Sequence, residues 1–375
     1  MTITPAPVSA LGAATLPARA GAKPAPLAHG GVLDGLRFMA AFCMVIYHFS
    51  YASPVPLAKI HPLFARGYLA TDFFLIVSGY VLGRIYGRRV AASDISAWQF
   101  FLRRVQRVAP AHLIMIGAFV ALMGATALVG IKPQHPEYLA WSDLPSQLFL
   151  LQAYGAPGGF GWNAPSWSLS ALLGCYLIFP MVWRWQLRIA SPMLVASLSF
   201  VVLMAADQAS QFWLNTPIYE FPRNFGIGRA LPLFLCGAAL ARLSTELYIP
   251  PRIAIAMSAI CAVLLCAVQF LGQLDLISVL LIAGLVVGAG AVPVKHPSAV
   301  LSRAAVISFA LFITNEFVRF VYSGALHVLT HDRTLPIAAG WLVWWSAVAA
   351  AVLFAVAFHY LVDMPTQRLI RRFRR

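Results

Sequence analysis

Apolar stretches of bilayer-spanning length follow one another along almost the whole chain. A helix needs about 20 apolar residues to cross a membrane, and about ten stretches approach or exceed that length. Hydrophobic residues make up 61% of the sequence and charged residues only 10%, whereas soluble domains carry about 25% charged residues. The sequence therefore predicts an all-α, polytopic transmembrane helical bundle. The predicted spans lie near 32–52, 67–86, 108–130, 166–187, 191–209, 226–244, 252–271, 275–293, 303–325 and 336–361.

The distribution of Lys and Arg predicts the orientation of these spans. An even number of spans places both termini on one side. With the termini inside, 19 of the 27 Lys and Arg residues lie in inner segments and 5 in outer segments. Inner loops carry an excess of cations, so we expect both termini in the cytosol and the chain in the cell's cytoplasmic (inner) membrane. We expect residues 84–107 to form the longest inner loop, and 144–154 to re-enter or lie at the interface.

Composition divides the chain into three regions and excludes some partners. Residues 1–29 are rich in Ala, Pro and Gly and predict a disordered cytosolic tail without the apolar core of a signal peptide. Residues 30–368 form the transmembrane domain, and 369–375 a basic cytosolic tail. The net charge of +15 is spread between spans, so no nucleic-acid partner is predicted. The five cysteines lie in apolar runs without ligand spacing, so no metal is predicted. The pattern does not indicate an oligomeric state.

The first span carries ionisable residues on one helical face. Arg37 and His48 are eleven positions apart, which places them within roughly 20° of each other and about 16 Å apart along a helix. Asp34 lies one turn before Arg37. Such groups inside a membrane usually face a wet cavity or the bundle interior. The stripe predicts a functional channel with His48 near mid-membrane. The alternative is a helix-end arginine and a hydrogen-bonded core histidine.

Two other inner-side features suggest ligand contacts. Arg104 and Arg107 face the same way one turn apart, beside Arg103, and paired guanidiniums suit bidentate phosphate binding. Anchoring to lipid phosphates is the alternative. In the second span, Ser78-Gly79 predicts either a hydroxyl donor beside space for a ligand or close helix packing.

Polar residues in the remaining spans have both functional and structural readings. The approach to the fourth span carries Trp167 and Ser168, with Tyr176 further along, and interfacial tryptophan is also ordinary belt chemistry. In the ninth span, Glu316 and Arg319 are expected to neutralise each other. Asp363 at the end of the last span is expected to pair with inner arginines.

Six motifs in order give the chain a recognisable signature. It resembles the acyltransferase-3 family of integral membrane O-acyltransferases over residues 31 to 368. The motifs are Leu-Asp-Gly-Leu-Arg with a following His (Asp34, Arg37, His48), the Phe-Phe-Leu-Ile-Val-Ser-Gly-Tyr run 73–80, Arg-Val-Gln-Arg-Val-Ala-Pro 104–110, Trp-Ser-Leu-Ser 167–170, the pattern Arg229, Pro232, Phe234, Gly237, and Val-Asp-Met-Pro 362–365.

The resemblance implies a reaction and roles for these residues. An acyl group, usually acetyl from acetyl-CoA, is taken at the inner face and delivered to a hydroxyl of a glycan or glycosylated acceptor at the outer side, across the lipid bilayer. His48, Arg37, Asp34 and Ser78 are expected to serve catalysis. Arg103, Arg104 and Arg107 are expected to bind the donor's phosphates, and Trp167, Ser168, Tyr176 and Asp72 the acceptor. His48 would act as a base or as an acyl carrier.

Two departures from the family pattern keep other functions open. Leu172 stands where the family usually carries Glu, and Asn315 where many members carry His. A degenerate, non-catalytic acyltransferase-like partner would explain both. A transporter or flippase for a lipid-linked or small substrate would also use buried Arg and His, but the chain lacks visible repeat symmetry of the transporter kind.

Overall fold

A computed structural model describes residues 27–131, 136–156, 161–272, 274–330 and 335–373. Most of the predicted tail 1–29 and the last two residues of the basic tail lie outside these ranges. The described residues form helices and loops without a strand. The α-helices are α1 (Val32–Phe49), α2 (Leu57–Ile60), α3 (Leu69–Ala91), α4 (Ala97–Leu128), α5 (Leu144–Leu148), α6 (Trp167–Arg188), α7 (Pro192–Leu214), α8 (Gly226–Glu246), α9 (Pro251–Leu271), α10 (Asp275–Ala291), α11 (Ala299–Thr330), α12 (Ile337–Phe358) and α13 (Met364–Arg372).

The predicted helical bundle is confirmed. Within the described ranges, nine helical segments are long and apolar enough to cross a membrane. The remaining predicted span corresponds to α10, which has 17 residues and is shorter than these nine. The apolar stretch 144–154 contains only the short α5 and a loop.

The predicted loop 84–107 is wrong in extent, because helix continues into it from both sides. Helix α3 runs to Ala91 and α4 begins at Ala97, so only residues 92–96 connect them. Ser96 and Gln99 form a reciprocal capping box at the start of α4, which satisfies backbone donors that a helix start leaves free. Long arginine side chains keep their charge in water while their stems follow apolar surface, so a basic segment does not have to leave the helix.

Glycines set the distance between α3 and α8 at the centre of the bundle. A Cβ atom at Gly79 would collide with the backbone of Phe234 and Ala238, and one at Gly237 would collide with the carbonyl of Ile76. The two helices therefore pack backbone to backbone, as small residues allow in membranes. This confirms close helix packing at Gly79 and shows that the suggested ligand space there is wrong, since α8 fills it. The role of the Ser78 hydroxyl stays a prediction.

Candidate active site

The site extends between two ends of the bundle. The basic end is defined by the α3–α4 connection, residues 92–96, and the far end by Tyr68, where α3 begins. A charged pair with little exposure marks the far end. Arg229 Nε donates to Asp72 Oδ1 at 2.8 Å, with the two side chains 6% and 1% exposed. The Asp72 carboxylate therefore pairs with Arg229 through Oδ1, while its buried Oδ2 has no hydrogen-bond partner among the described residues. The acceptor binding suggested by the sequence stays a prediction.

Arg229 is a hub at the far end that sequence reasoning noted but did not assign to the site. Its guanidinium also donates to the carbonyls of Tyr219 and Tyr68 and lies 5.8 Å from the centre of the Trp167 ring. Trp167 is thereby held against α8 at the start of α6. Ser168 Oγ donates to the carbonyl of Pro165 at 3.2 Å. Trp167 and Ser168, two of the four residues predicted to bind the acyl acceptor, lie in the first turn of α6.

Two stacked phenols lie beside this hub, outside the spans. The rings of Tyr68 and Tyr219 are 5.6 Å apart and nearly parallel. Tyr68 donates to Asp275 Oδ1 at 2.7 Å. Burial and the nearby Asp275 carboxylate raise the pKa of Tyr219 to about 12, and the same two causes hold the pKa of Tyr68 well above its ordinary value. Both phenols therefore stay protonated and uncharged at physiological pH.

His48 contacts α11 from the end of α1. Its Nδ1 lies 2.7 Å from Oδ1 of Asn315, a residue with no exposed surface. His48 is next to last in α1, so it lies in the far half of that helix rather than at the mid-membrane depth expected from the predicted span. Asn315 is one of the two positions at which the sequence departs from the family pattern, and its side chain contacts the imidazole.

A charged pair follows one residue later on α11. Arg319 donates from Nη2 to Glu316 Oε1 at 2.5 Å and from Nε to Oε2 at 3.0 Å. The predicted neutralisation of Glu316 by Arg319 is confirmed. Both charges, together with Arg223, lie within electrostatic range of His48.

Asp34 and Arg37 interact at the opposite end of α1. Arg37 Nη1 lies 3.3 Å from Asp34 Oδ1, and Asp34 Oδ2 accepts from the backbone N–H of Gly30 at 2.8 Å. The carboxylate thus satisfies a backbone donor at the helix start and orients Arg37. Arg37 lies within electrostatic range of Arg107 on α4 and Tyr176 on α6, so three helices converge here.

Arg104 and Arg107 are held by different partners and do not form one joint fork. Arg104 Nη2 donates to the Tyr86 hydroxyl at 2.8 Å, with the guanidinium 4.9 Å from the ring centre. Arg107 Nη1 donates to Asp363 Oδ1 at 3.0 Å, which confirms the predicted pairing of Asp363. Arg104 Nε is buried and finds no hydrogen-bond partner among the described residues. Arg103, on the same turn, is partly buried.

Tyr176 belongs with the arginines rather than with Trp167 and Ser168. Its hydroxyl lies near Ser78 and within electrostatic range of Arg104 and Arg107. The separation follows from helix geometry, since nine residues of α6 span about 13 Å. The structure thus gathers five residues from four helices, and this set is named the donor-side cluster for the donor binding that the sequence predicts: Arg37, Ser78, Arg104, Arg107 and Tyr176.

Comparison with known proteins identifies the family. The model of the acyltransferase-3 family, described as an acyltransferase domain, matches residues 31–360. The chain belongs to the acyltransferase-3 family. Membership of this family supports the expected transferase activity. The described residues contain no group of three or more His, Cys, Asp or Glu that could hold a metal ion.

Two curated relatives are similar to parts of the chain. Acyltransferase MdmB of Streptomyces mycarofaciens is 30% identical over 159 residues, which is 40% of this chain and 38% of that protein. Protein 2 in picA locus of Rhizobium radiobacter is 27% identical over 190 residues, which is 47% of this chain and 93% of that protein. No solved structure matches the chain significantly.

Proposed function

We propose that this acyltransferase moves an acetyl group from cytosolic acetyl-CoA to a hydroxyl of a glycan or glycosylated acceptor on the outer side of the cytoplasmic membrane. The observation that carries this proposal is the arrangement along α1. Its start contributes Arg37 to the donor-side cluster, and its end presents His48, held by Asn315, towards the far end. The two ends of one helix thereby contribute a residue each to the proposed donor site and to the proposed site of proton transfer.

The donor-side cluster has the chemistry that a CoA thioester requires. Guanidiniums bind phosphate through charge-assisted hydrogen bonds, and Arg104 carries a buried N–H donor that lacks a partner among the described residues. Arg103, Arg104 and Arg107 would hold the phosphates, while the thioester arm extends along α1 past Ser78 and Tyr176. The distance from Arg37 to His48, about 16 Å along the axis, requires an extended arm.

The proposed chemical step is a direct acyl transfer. His48 takes the proton of the acceptor hydroxyl as the oxygen attacks the thioester carbonyl carbon. The new carbon–oxygen bond forms, the carbon–sulfur bond breaks, and CoA leaves as a thiolate. The thiolate takes the proton from the His48 imidazolium, which gives CoA as a thiol and restores the neutral base. A histidine suits the first part because its ordinary pKa lies near physiological pH. The Ser78 hydroxyl would contact the thioester, and the Asp34–Arg37 pair would set the local charge.

The acceptor is proposed to enter from the far end. Trp167 is held there by Arg229, and Ser168 lies on the same turn of α6. An aromatic face beside a hydroxyl is a combination that suits a glycosyl group, which presents both apolar C–H faces and hydroxyls. Asp72 would act on the acceptor indirectly, by holding Arg229 against the Trp167 ring.

The proposal is tested with the purified full chain in lipid nanodiscs. The assay supplies radiolabelled acetyl-CoA and, as acceptor, a glycan and glycolipid extract of the native cells. We expect label in the acceptor fraction and one molecule of free CoA for each acetyl group transferred. Release of CoA without label in the acceptor, or no release at all, would contradict the proposed function.

A further inference from the structure

Asn315 forms the hydrogen bond described for the His48 ring, and the two residues come from different helices. Oδ1 of Asn315 lies 2.7 Å from Nδ1 of His48. We infer that Asn315 is a positioning residue that fixes the tautomer of His48, so that Nδ1 carries the proton and Nε2 presents a lone pair to the acceptor hydroxyl. This inference rests on the proposed function and extends it to a residue that the family resemblance marked as a departure.

The orientation of the Asn315 amide follows from its own helix. Its Nδ2 donates to the carbonyls of Phe312 at 2.7 Å and Leu311 at 3.1 Å. Turning the amide over would set its oxygen against these two carbonyl oxygens and would lose both hydrogen bonds. Asn and Gln amides are assigned from such networks, and here both amide N–H groups have acceptors. The oxygen is therefore the atom that faces His48.

The amide oxygen dictates the protonation of the imidazole. A carbonyl oxygen accepts hydrogen bonds and cannot donate them, so His48 Nδ1 must be the donor. In a neutral imidazole one nitrogen carries the proton and the other accepts, which leaves Nε2 free to take a proton. The hydrogen bond made by one ring nitrogen commonly sets the role of the other in this way.

Charges around His48 come from several elements, and Asn315 adds none. Glu316 and Arg319 on α11 form a mutual pair, and Arg223 lies between α7 and α8. The ring of Tyr47, on α1 itself, lies 5.9 Å from the imidazole. A neutral amide orients the imidazole without placing a further carboxylate beside it. On this account, Asn315 supports catalysis, and its difference from the family pattern is not a sign of degeneration.

The test replaces Asn315 by residues that separate hydrogen bonding from packing. Leu branches at the same carbon as Asn, although it is larger, and it cannot accept a hydrogen bond, whereas Asp keeps an oxygen towards Nδ1. The matched control is Thr314→Val, because Thr314 is equally buried on the same helix and its hydroxyl bonds only to Ala310 in the described structure. Each variant is assayed in nanodiscs with radiolabelled acetyl-CoA and the native acceptor extract.

We expect Asn315→Leu to lower kcat about 10- to 100-fold, part of the contribution of an oriented general base, with the KM for acetyl-CoA unchanged. Asn315→Asp should retain kcat within about 10-fold of the unsubstituted chain, as a carboxylate also orients a histidine base, and Thr314→Val should be unchanged. A kcat for Asn315→Leu within twofold of the unsubstituted chain, or an Asn315→Asp variant as slow as Asn315→Leu, would overturn the inference. If either of these Asn315 results is obtained while His48→Gln is inactive in the same assay, the Asn315 result refutes only the positioning role. The proposed function then still stands.

A second measurement does not depend on the Asn315 variants folding. In the unsubstituted chain labelled with ¹⁵N-histidine, the His48 resonance, assigned by its loss in His48→Gln, should show a protonated Nδ1 and an unprotonated Nε2. The opposite tautomer, or an equal mixture of the two, would overturn the inference. If the unsubstituted chain transfers no label, the proposed function fails and this inference fails with it.

Discussion

Arg107 on α4 and Asp363 after α12 form an ion pair, with Nη1 and Oδ1 3.0 Å apart. A second contact reinforces it. Pro110 has no N–H group, so the carbonyl of Gln106 loses its usual helical donor, and Gln367 Nε2 donates to that carbonyl at 3.1 Å and to the Arg107 carbonyl at 3.2 Å. The C-terminal segment is therefore fixed onto the turn that carries the arginines proposed to bind the donor.

This pairing predicts that stability and donor binding can be separated. Arg107→Ala leaves His359 as the ionic neighbour of the buried Asp363 carboxylate among the described residues, so we expect a loss of roughly 1–3 kcal/mol in unfolding free energy. Arg107→Ala/Asp363→Asn should recover most of this stability but not the affinity for acetyl-CoA. Thermal unfolding in detergent and equilibrium binding of labelled acetyl-CoA measure the two quantities.

The control for this prediction is Arg372→Ala, because Arg372 is an exposed cation on the same C-terminal segment. It should change neither quantity. Unchanged acetyl-CoA affinity in Arg107→Ala/Asp363→Asn would return Arg107 to a purely structural role.

Backbone contact between α3 and α8 predicts a position-specific effect of alanine. Gly79→Ala should abolish folded protein, because the new methyl group would meet the Phe234 carbonyl, which cannot move without shifting α8. Gly117→Ala is the matched control, since a Cβ there meets nothing within 4 Å and alanine favours helix over glycine by up to about 1 kcal/mol. Size-exclusion chromatography reports the folded yield. A Gly79→Ala variant with normal yield would refute the packing described here.

The buried pair of Asp72 and Arg229 predicts a structural rather than a substrate-binding role. Asp72→Asn leaves Arg229 without its carboxylate and should cost about 3–5 kcal/mol, the range for breaking a buried pair. Asp72→Leu/Arg229→Met should cost less than the sum of the single changes, because it removes both charges. Unfolding midpoints in detergent measure this coupling. If Asp72→Asn is as stable as the unsubstituted chain and only raises the KM for the acceptor extract, Asp72 binds substrate directly.

The cation bias predicts the orientation of the bundle. In a chain whose five cysteines have been replaced, Asp94→Cys in the α3–α4 connection should be protected from a membrane-impermeant thiol reagent in sealed cells. Glu220→Cys, exposed between α7 and α8, should be labelled. The opposite pattern would invert the topology and with it the side from which acetyl-CoA is proposed to bind.

Sequence reasoning succeeded where a pattern is repeated or local. Helical spans follow from long apolar runs. The pairing of Glu316 with Arg319, and that of Asp34 with Arg37, follow from spacing within one helix.

Sequence reasoning failed where two distant segments meet. Asn315 could not be placed opposite His48, because the contact joins residues 267 positions apart. Tyr176 was grouped with Trp167 because the two are close in sequence, although the helix carries them to different levels. Gly79 was given a ligand-space reading because its partner helix was unknown.

One signal in the sequence pointed towards the missed residue. An asparagine inside an apolar span is costly unless its amide is hydrogen-bonded, so Asn315 needed partners within the bundle. The family resemblance marked Asn315 as a replacement for the histidine of many members. It did not indicate that the buried group in contact with Asn315 is His48.

The central claim is that His48 takes the proton of the acceptor hydroxyl, and a histidine comparison tests it most directly. His48→Gln keeps hydrogen-bonding capacity but cannot act as a base. His112→Gln is the control, because His112 is buried on α4 and bonds to the Gln147 carbonyl. Acetyl transfer per molecule of folded protein is measured in nanodiscs, with acetyl-CoA binding measured alongside. We predict that His48→Gln loses transfer by at least about 10²-fold with normal acetyl-CoA binding, while His112→Gln retains it. Near-normal transfer by His48→Gln would contradict the account.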